Sequence, residues 1–156
     1  SADVLRPIGI DLPVTPVRGW AADFDLPDGA LLSEVPIPEV PIMDAPSRSA
    51  LTPFSDCVRL SGTWGEASVE PLLTRWTAIA PALMALLGDP QFVWSGLRPV
   101  SALGRPFIGP TPVPGLWVNA GHGHMGWTLC AGSGALLADM ICDGQSDRRF
   151  GLIIPN

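Results

Sequence analysis

The stretch of sequence that decides the fold covers residues 94–139 and runs WSGLRPVSALGRPFIGPTPVPGLWVNAGHGHMGWTLCAGSGALLAD. Its second part predicts a short strand at 116–119, a glycine-rich turn, and an apolar helix over 126–143. At the start of a helix the backbone N–H groups point outward, and the helix dipole adds roughly half a positive charge. The pattern is typical of a cradle for an anion or a polar ring, but a tight helix-to-sheet contact without a ligand uses the same residues.

The segment before this stretch is rich in proline, with nine prolines among residues 1–56. Proline at that density excludes long helices and favours short strands and turns. Alternating apolar residues bounded by turn residues therefore predict strands rather than helices. The predicted strands cover 14–24, 31–35, 57–63 and 92–97, with a turn at 27–29.

Residues 69–88 differ, because their apolar side chains recur at a spacing of three to four and predict a helix. Pro71 lies in the opening turn and Gly88 follows the last apolar residue, as helix starts and ends prefer. Pro81 falls inside the pattern and predicts a kink or a split into two helices. The predicted fold class is α+β, a mostly antiparallel sheet with helices packed on one face, followed by a surface tail at 144–156.

The composition is unusually apolar for a chain of 156 residues. Hydrophobic residues make up 47% and charged residues 15% of the chain, and the mean hydropathy is +0.31. A domain of this size cannot bury so much apolar surface by itself, so another polypeptide or a membrane should cover the excess. Because glycines and Asp139 interrupt the segment 125–142, we interpret it as a buried helix and expect a partner chain.

The charges and the cysteines exclude several classes of site. The net charge is −6, and the nine basic residues form no cluster larger than Arg148-Arg149, so no nucleic-acid partner is expected. Cys57, Cys130 and Cys142 form no metal-ligand pattern, so no metal is expected. Their odd number and apolar surroundings predict reduced, buried thiols. We expect a cytoplasmic chain, with peripheral attachment to the inner membrane as the alternative.

Arg98 follows a predicted strand in the segment Gly-Leu-Arg-Pro. A guanidinium presents a fixed fork of donors that matches a carboxylate with two parallel hydrogen bonds. Taken by itself, an arginine beside a proline is more typical of a surface or structural residue. Both interpretations stay open at this point.

Four motifs in order resemble the C-terminal signature of the D-amino acid oxidase superfamily, especially bacterial D-amino acid dehydrogenases and glycine oxidases. They are W-x-G-x-R-P at 94–99, G-x-P-x-I-G at 104–109, the GHG and GWT run at 115–128, and L-L-A-D at 136–139. Residues 5–19 and 61–66 resemble the segment entering the substrate domain and a strand that lines the substrate cavity. The resemblance implies the substrate-domain, C-terminal half of a two-domain FAD-binding oxidoreductase. No dinucleotide-binding half is expected within the chain itself.

The resemblance also implies roles for individual residues. Arg98 matches the arginine that binds the substrate carboxylate, and His124 stands where glycine oxidases place a second active-site arginine. Trp64 either walls the substrate cavity or belongs to the core, and His122 anchors the turn. The loop that holds the pyrimidine end of the flavin matches His122, Gly123, His124, Met125, Gly126, Trp127 and Thr128.

The implied activity is FAD-dependent oxidative deamination of a D-amino acid, with hydride transfer from Cα to flavin N5 and electrons passed to a quinone or oxygen. We expect non-covalent FAD, because no cysteine stands at an obvious attachment point. The alternatives are oxidation of a secondary amine or imino acid, sarcosine- or proline-like, and a non-catalytic scaffold subunit. A second polypeptide with a Rossmann-type FAD-binding domain is the expected partner.

The same resemblance divides the chain into a substrate-binding (cap) region at 1–96, a flavin-contacting motif and helix at 97–143, and the tail at 144–156. Ser1 matches the junction that follows the nucleotide-binding domain in the family. A separately encoded subunit, proteolysis, and self-cleavage with Ser1 as nucleophile each account for such a start, and the three stay open.

Overall fold

The structure, a computed structural model, describes residues 2–26 and 37–143. The chain divides into two compact units. The central unit is Arg18–Leu97, and the terminal unit combines the residues up to Val17 with those from Arg98 onward. The predicted turn at 27–29, the predicted strand at 31–35, Ser1 and the tail at 144–156 lie outside the described residues.

The described elements come in runs, four strands followed by two helices and then three strands followed by a long helix, which confirms the predicted α+β class. The strands are β1 (Val14–Asp25), β2 (Ile42–Asp44), β3 (Ser49–Pro53), β4 (Cys57–Gly62), β5 (Phe92–Ser101), β6 (Phe107–Pro110) and β7 (Trp117–Ala120). A five-stranded sheet has the order β2-β3-β4-β1-β5, and β6 pairs with β7 in a separate antiparallel hairpin. The helices are α1 (Ala2–Leu5), α2 (Glu70–Ile79), α3 (Pro81–Leu87) and α4 (Gly126–Asp143), with 3-10 turns at Arg6–Ile8 and Gly123–Met125.

The core of the central unit forms where α2 and α3 pack with one face of the sheet. The antiparallel register pairs Phe24 of β1 with Val58 of β4, so the two side chains lie on the same face of the sheet. Both are buried. Leu72 and Trp76 of α2 complete this core, each with 1% of its surface exposed. Most of the favourable free energy of this unit therefore comes from apolar burial at one face of the sheet.

The predicted split of the helical segment 69–88 is confirmed. Ala80 leaves the helical region, with φ −134° and ψ 64°, so α2 ends at Ile79 and α3 begins at Pro81. Proline has no N–H, which a first helical position does not need. Gly88 adopts φ 70° and ends α3 as predicted.

The terminal unit has a smaller core and a long helix on its hairpin. Asn119 of β7 donates a hydrogen bond from Nδ2 to Oγ of Ser133 on α4, at 3.3 Å. Gly121 follows β7 with φ 82°, and a Cβ there would come within 3.2 Å of the Phe107 ring. The core residues of this unit are Leu5, Ile10, Leu12, Phe107, Val118 and Ala120.

The prediction that 125–142 forms a buried helix is wrong for the described chain. Of the α4 residues whose burial the structure describes, only Ser133 and Met140 are buried, because the helix meets the hairpin along one narrow stripe. The predicted burial of the thiols is wrong for the same reason, since Cys130 and Cys142 are exposed. Cys57, on β4, is half-buried.

One described helical segment, Gly123–Cys142, has the length and composition of a membrane span. Of this segment, 11% is buried in the described chain. Length and composition by themselves are weak evidence for a span, because the core helix of many other proteins satisfies both.

Candidate functional site

The predicted cofactor loop lies between β7 and α4 and turns tightly. The N–H of Met125 donates to the carbonyl of His122 at 3.0 Å, which closes the 3-10 turn Gly123–Met125. Gly123 adopts φ 57°, a left-handed conformation that glycine accepts at no steric cost. His122 also pairs with Val100 of β5 through an isolated antiparallel bridge. The main chain of His122 therefore fixes the turn from two sides.

The predicted helix over 126–143 is confirmed, but the helical segment starts earlier than Gly126. The 3-10 turn continues directly into α4, so the N–H groups at the N-terminal end of the segment are those of Gly123 and His124. N–H groups at this end of a helix point out of it and carry the positive end of the dipole. The end of the segment that attracts negative charge thus lies at the centre of the glycine-rich loop.

The imidazole of His122 holds the most informative polar atom of the loop. Its Nε2 is buried, and it has no hydrogen-bond partner among the described residues. A buried polar atom without a partner costs about 1–3 kcal/mol, so native structures rarely keep one. A polar group of a ligand in this loop would satisfy it.

The other side chains of the loop face outward. His124, Met125, Trp127 and Thr128 are exposed, and Trp127 exposes 91% of its surface. Their predicted contacts with a cofactor stay predictions.

Arg98 lies on β5, two residues before the bridge between Val100 and His122. Because alternate strand residues share a face and the pairing is antiparallel, Arg98 extends from the bridge on the side of His124. Arg98 is half-buried, and desolvation lowers the pKa of its guanidinium. A carboxylate beside it would offset this desolvation. The bridge thus places Arg98 and His124, two of the three predicted substrate-binding residues, on the same side of it along their two chain segments.

Trp64, the third predicted substrate-binding residue, belongs to the central unit. It follows the end of β4 and exposes 37% of its surface, so it is not part of the core. The guanidinium of Arg48 lies 5.2 Å from the centroid of its ring. Trp64 therefore forms part of a surface cluster with a cation that the sequence did not single out.

Arg59 on β4 is a second cation that the sequence analysis did not identify. Its guanidinium donates to both carboxylate oxygens of Asp23, at 2.6 and 2.7 Å, and these hydrogen bonds raise the pKa of Arg59. The rings of Phe54 and Trp94 lie 5.2 and 5.9 Å from it. The tryptophan of the W-x-G-x-R-P motif therefore contacts a paired guanidinium. Only the register that places Asp23 opposite Arg59 reveals this cluster.

One family profile and curated relatives match most of this chain. A profile of the family described as FAD dependent oxidoreductase matches residues 1–140. The D-amino acid dehydrogenase of Vibrio cholerae is 38% identical over 161 residues, which cover 97% of this chain and 37% of that protein. The D-amino acid dehydrogenase of Rhizobium johnstonii is 36% identical over 155 residues, covering 92% and 35%. The chain thus spans little more than a third of the length of these curated relatives.

Solved structures agree on the fold. An iminodiacetate oxidase from a Chelativorans species superposes with a TM-score of 0.73 at 23% identity, covering 96% of this chain and 42% of that one. A glycine oxidase from Geobacillus kaustophilus superposes with a TM-score of 0.69 at 26% identity, covering 97% and 42%.

Proposed function

The chain belongs to the family of FAD-dependent oxidoreductases, and from that premise we propose that it forms the substrate-binding part of an enzyme that oxidises the C–N bond of D-amino acids. The observation that carries the proposal is Arg98, a half-buried cation whose pKa desolvation lowers, next to the loop of His122–Thr128. The identity with D-amino acid dehydrogenases supports the choice of substrate class.

The loop fits the pyrimidine end of a flavin on two observations. The N-terminal end of the helical segment at Gly123 and His124 favours negative charge, and the buried Nε2 of His122 calls for a polar partner. When bound, FAD supplies the acceptor for the hydride that leaves the substrate Cα. The remaining task of this chain is to hold and orient the substrate.

Arg98 performs that task by binding the substrate carboxylate with two parallel hydrogen bonds. Fixing both carboxylate oxygens fixes the position of Cα, and orientation of this kind lowers the barrier without any acid or base. After the hydride leaves the neutral amine, an iminium ion remains, which water hydrolyses to a keto acid and ammonium. We propose His124, which lies on the same side of the bridge along the chain, as the second side chain at the carboxylate end.

The ADP portion of FAD needs a dinucleotide-binding domain. The one GxGxxG spacing of the sequence, at 121–126, follows a strand of an antiparallel hairpin rather than a strand of a βαβ unit, and the relatives extend over more than twice the length of this chain. We propose that a second polypeptide supplies this domain and packs on the exposed apolar side of α4. A quinone or oxygen would take the electrons.

Substituting Arg98 tests the proposal. In the assembled enzyme, Arg98→Gln should cost about 2–5 kcal/mol of transition-state binding, since one partner of a desolvated ion pair is lost. That range corresponds to a fall of roughly 30-fold to several-thousand-fold in kcat/KM for D-amino acids. The matched control is Arg6→Gln, which removes a cation from an exposed ion pair with Asp3 and should leave kcat/KM unchanged.

Two further results separate this proposal from the alternatives. A non-catalytic scaffold predicts that Arg98→Gln leaves the activity of the assembly unchanged, which would refute the proposed role. Arg98 would bind the carboxylate of D-amino acids, sarcosine and proline alike, so its substitution does not distinguish these substrate classes. Measuring kcat/KM for a panel of all three does. Higher kcat/KM for sarcosine or proline than for every D-amino acid would favour the secondary-amine alternative.

A further inference from the structure

The central unit contains a cavity of about 340 Å³ beside the end of β4. Every residue that lines it belongs to this unit. Its volume lies near the lower end of the range for small-molecule sites, roughly 300–1,000 Å³. The lining residues that matter for its chemistry are Arg48, Ser49, Thr63, Trp64, Glu66 and Leu72.

One wall of the cavity is fixed by buried contacts around Ser49. The indole N–H of Trp76 donates to Oγ of Ser49 at 2.9 Å, and this hydroxyl lies 2.7 Å from that of Ser47. A Cβ on Gly62 would lie 2.5 Å from Cα of Ser49, so the end of β4 and the start of β3 are in direct backbone contact. This wall is formed before any ligand arrives.

The opposite wall is the loop that follows β4, and two hydrogen bonds tie it to β1. The N–H of Gly65 donates to the carbonyl of Arg18 at 2.8 Å, and the indole N–H of Trp20 donates to the carbonyl of Glu66 at 3.1 Å. These bonds fix the backbone on both sides of Trp64.

Backbone strain concentrates at the same cavity. In the described part of the chain, two residues other than glycine have positive φ, Arg48 at 51° and Thr63 at 64°, and both line it. For a β-branched residue such as threonine this conformation is a real outlier. Strain of this kind costs about 1–3 kcal/mol per residue and gathers at ligand sites, where it positions side chains.

The cavity presents one available cation and one carboxylate. Arg48 is exposed and lies over the face of Trp64, an arrangement that leaves the donor edge of a guanidinium open to a carboxylate. Arg75 also lines the cavity, but it donates to both carboxylate oxygens of Asp44, at 2.7 and 2.9 Å. Glu66 supplies the negative charge, and its side chain is exposed at the rim.

We propose that this cavity binds a free amino acid as a zwitterion. Arg48 binds the α-carboxylate, Glu66 binds the ammonium group, and an apolar side chain packs against Trp64. The charges and volume of the cavity carry this assignment, which is independent of the role of Arg98 in the proposed reaction.

Calorimetric titration of the assembled protein with leucine tests the proposal. D-leucine and L-leucine are titrated separately, without an electron acceptor and with the flavin already reduced, so that no hydride transfer occurs. We expect saturable binding of at least one enantiomer, weakened tenfold or more by Arg48→Gln and by Glu66→Gln. N-acetyl-leucine and leucinamide, each lacking one of the two charges, should bind correspondingly more weakly than leucine.

The control variants separate this site from the proposed reaction. Arg98→Gln and Arg6→Gln should leave an Arg48-dependent binding event unchanged. Leucine binding that Arg98→Gln abolishes and Arg48→Gln does not affect would overturn the inference while the proposed function stands. Absence of any leucine binding would overturn it as well. Thermal unfolding of Arg48→Gln, an exposed position, verifies that the variant is folded.

Discussion

The helices α2 and α4 are both rich in apolar residues, yet the described chain uses them differently. Leu72 and Trp76 of α2 are 1% exposed, whereas Trp127 of α4 is 91% exposed and Ile141 is 51% exposed. The reason is the surface opposite each helix. Helix α2 joins a core on one face of the five-stranded sheet, while α4 meets a two-stranded hairpin along a narrow stripe. Part of the apolar excess in the composition therefore lies on α4, where we propose that a partner packs.

The largest expected effect contrasts one tryptophan from each helix. Trp76→Ala should lower the free energy of unfolding by about 3–5 kcal/mol, because a fully buried ring is removed and a cavity remains. Trp127→Ala should change it by less than about 0.5 kcal/mol, as for other exposed positions. Urea denaturation of both variants gives the two values. Similar losses in both would show that α4 is buried in the folded protein.

A smaller contrast concerns two glycines with positive φ. Gly62→Ala should cost roughly 2 kcal/mol or more, because its new Cβ would overlap Cα of Ser49 as well as strain the backbone. Gly9→Ala strains the backbone at φ 80° but meets no atom within 4 Å. Comparison of the two midpoints of denaturation isolates the steric contribution. Equal costs would mean that the contact between Gly62 and Ser49 relaxes freely.

Substitution of Gly134, in the middle of α4, tests whether this helix surface is open. A Cβ at Gly134 meets no atom of the described chain, so Gly134→Ala should raise the free energy of unfolding by about 0.8–1.0 kcal/mol through helix propensity. If a partner polypeptide packs on α4, Gly134→Leu should instead weaken the association of this chain with that partner. Thermal unfolding measures the first effect, and analytical ultracentrifugation measures the second. If Gly134→Leu leaves association unchanged, the partner does not bind this side of α4.

The smallest expected effect is the dependence of stability on pH through Asp44. The hydrogen bond from Arg75 holds the pKa of the Asp44 carboxyl far below its ordinary value of 3.8. A depressed pKa in the folded state means that the contribution to stability is present above that ordinary value and fades as the pH falls through it toward the folded pKa. Asp44→Asn should therefore show a smaller loss of Tm between pH 5 and pH 2 than the parent protein. Parallel curves would contradict this contribution.

Elements with local signals could be predicted from the sequence. Proline at 81 and glycine at 88 define the ends of helices by geometry that depends on no distant residue. The strand β1 and the helix α4 were likewise predictable from the spacing of their apolar residues. The motif around Arg98 and the glycine-rich loop gave the family, because ordered motifs identify it without knowledge of the contacts.

Features that depend on distant parts of the chain could not be predicted. The pairing of Arg59 with Asp23 requires the register between β4 and β1, and the stacking of Arg48 on Trp64 requires a turn with positive φ. The exposure of α4 depends on what packs against it, and periodicity does not report that. The strand predicted at 92–97 continues to Ser101 in the structure, past Pro99, which a sheet accepts on an edge strand.

The most direct test of the central claim is the visible spectrum of the assembled protein, purified natively together with the polypeptide that carries the dinucleotide-binding domain. We predict the absorption bands of oxidised FAD, and their loss when a D-amino acid is added without oxygen or a quinone. We also predict that Arg98→Gln requires a much higher D-amino acid concentration for the same loss. An assembly without flavin absorption, or one whose bands persist at saturating concentrations of every carboxylate-bearing amine, would contradict the account.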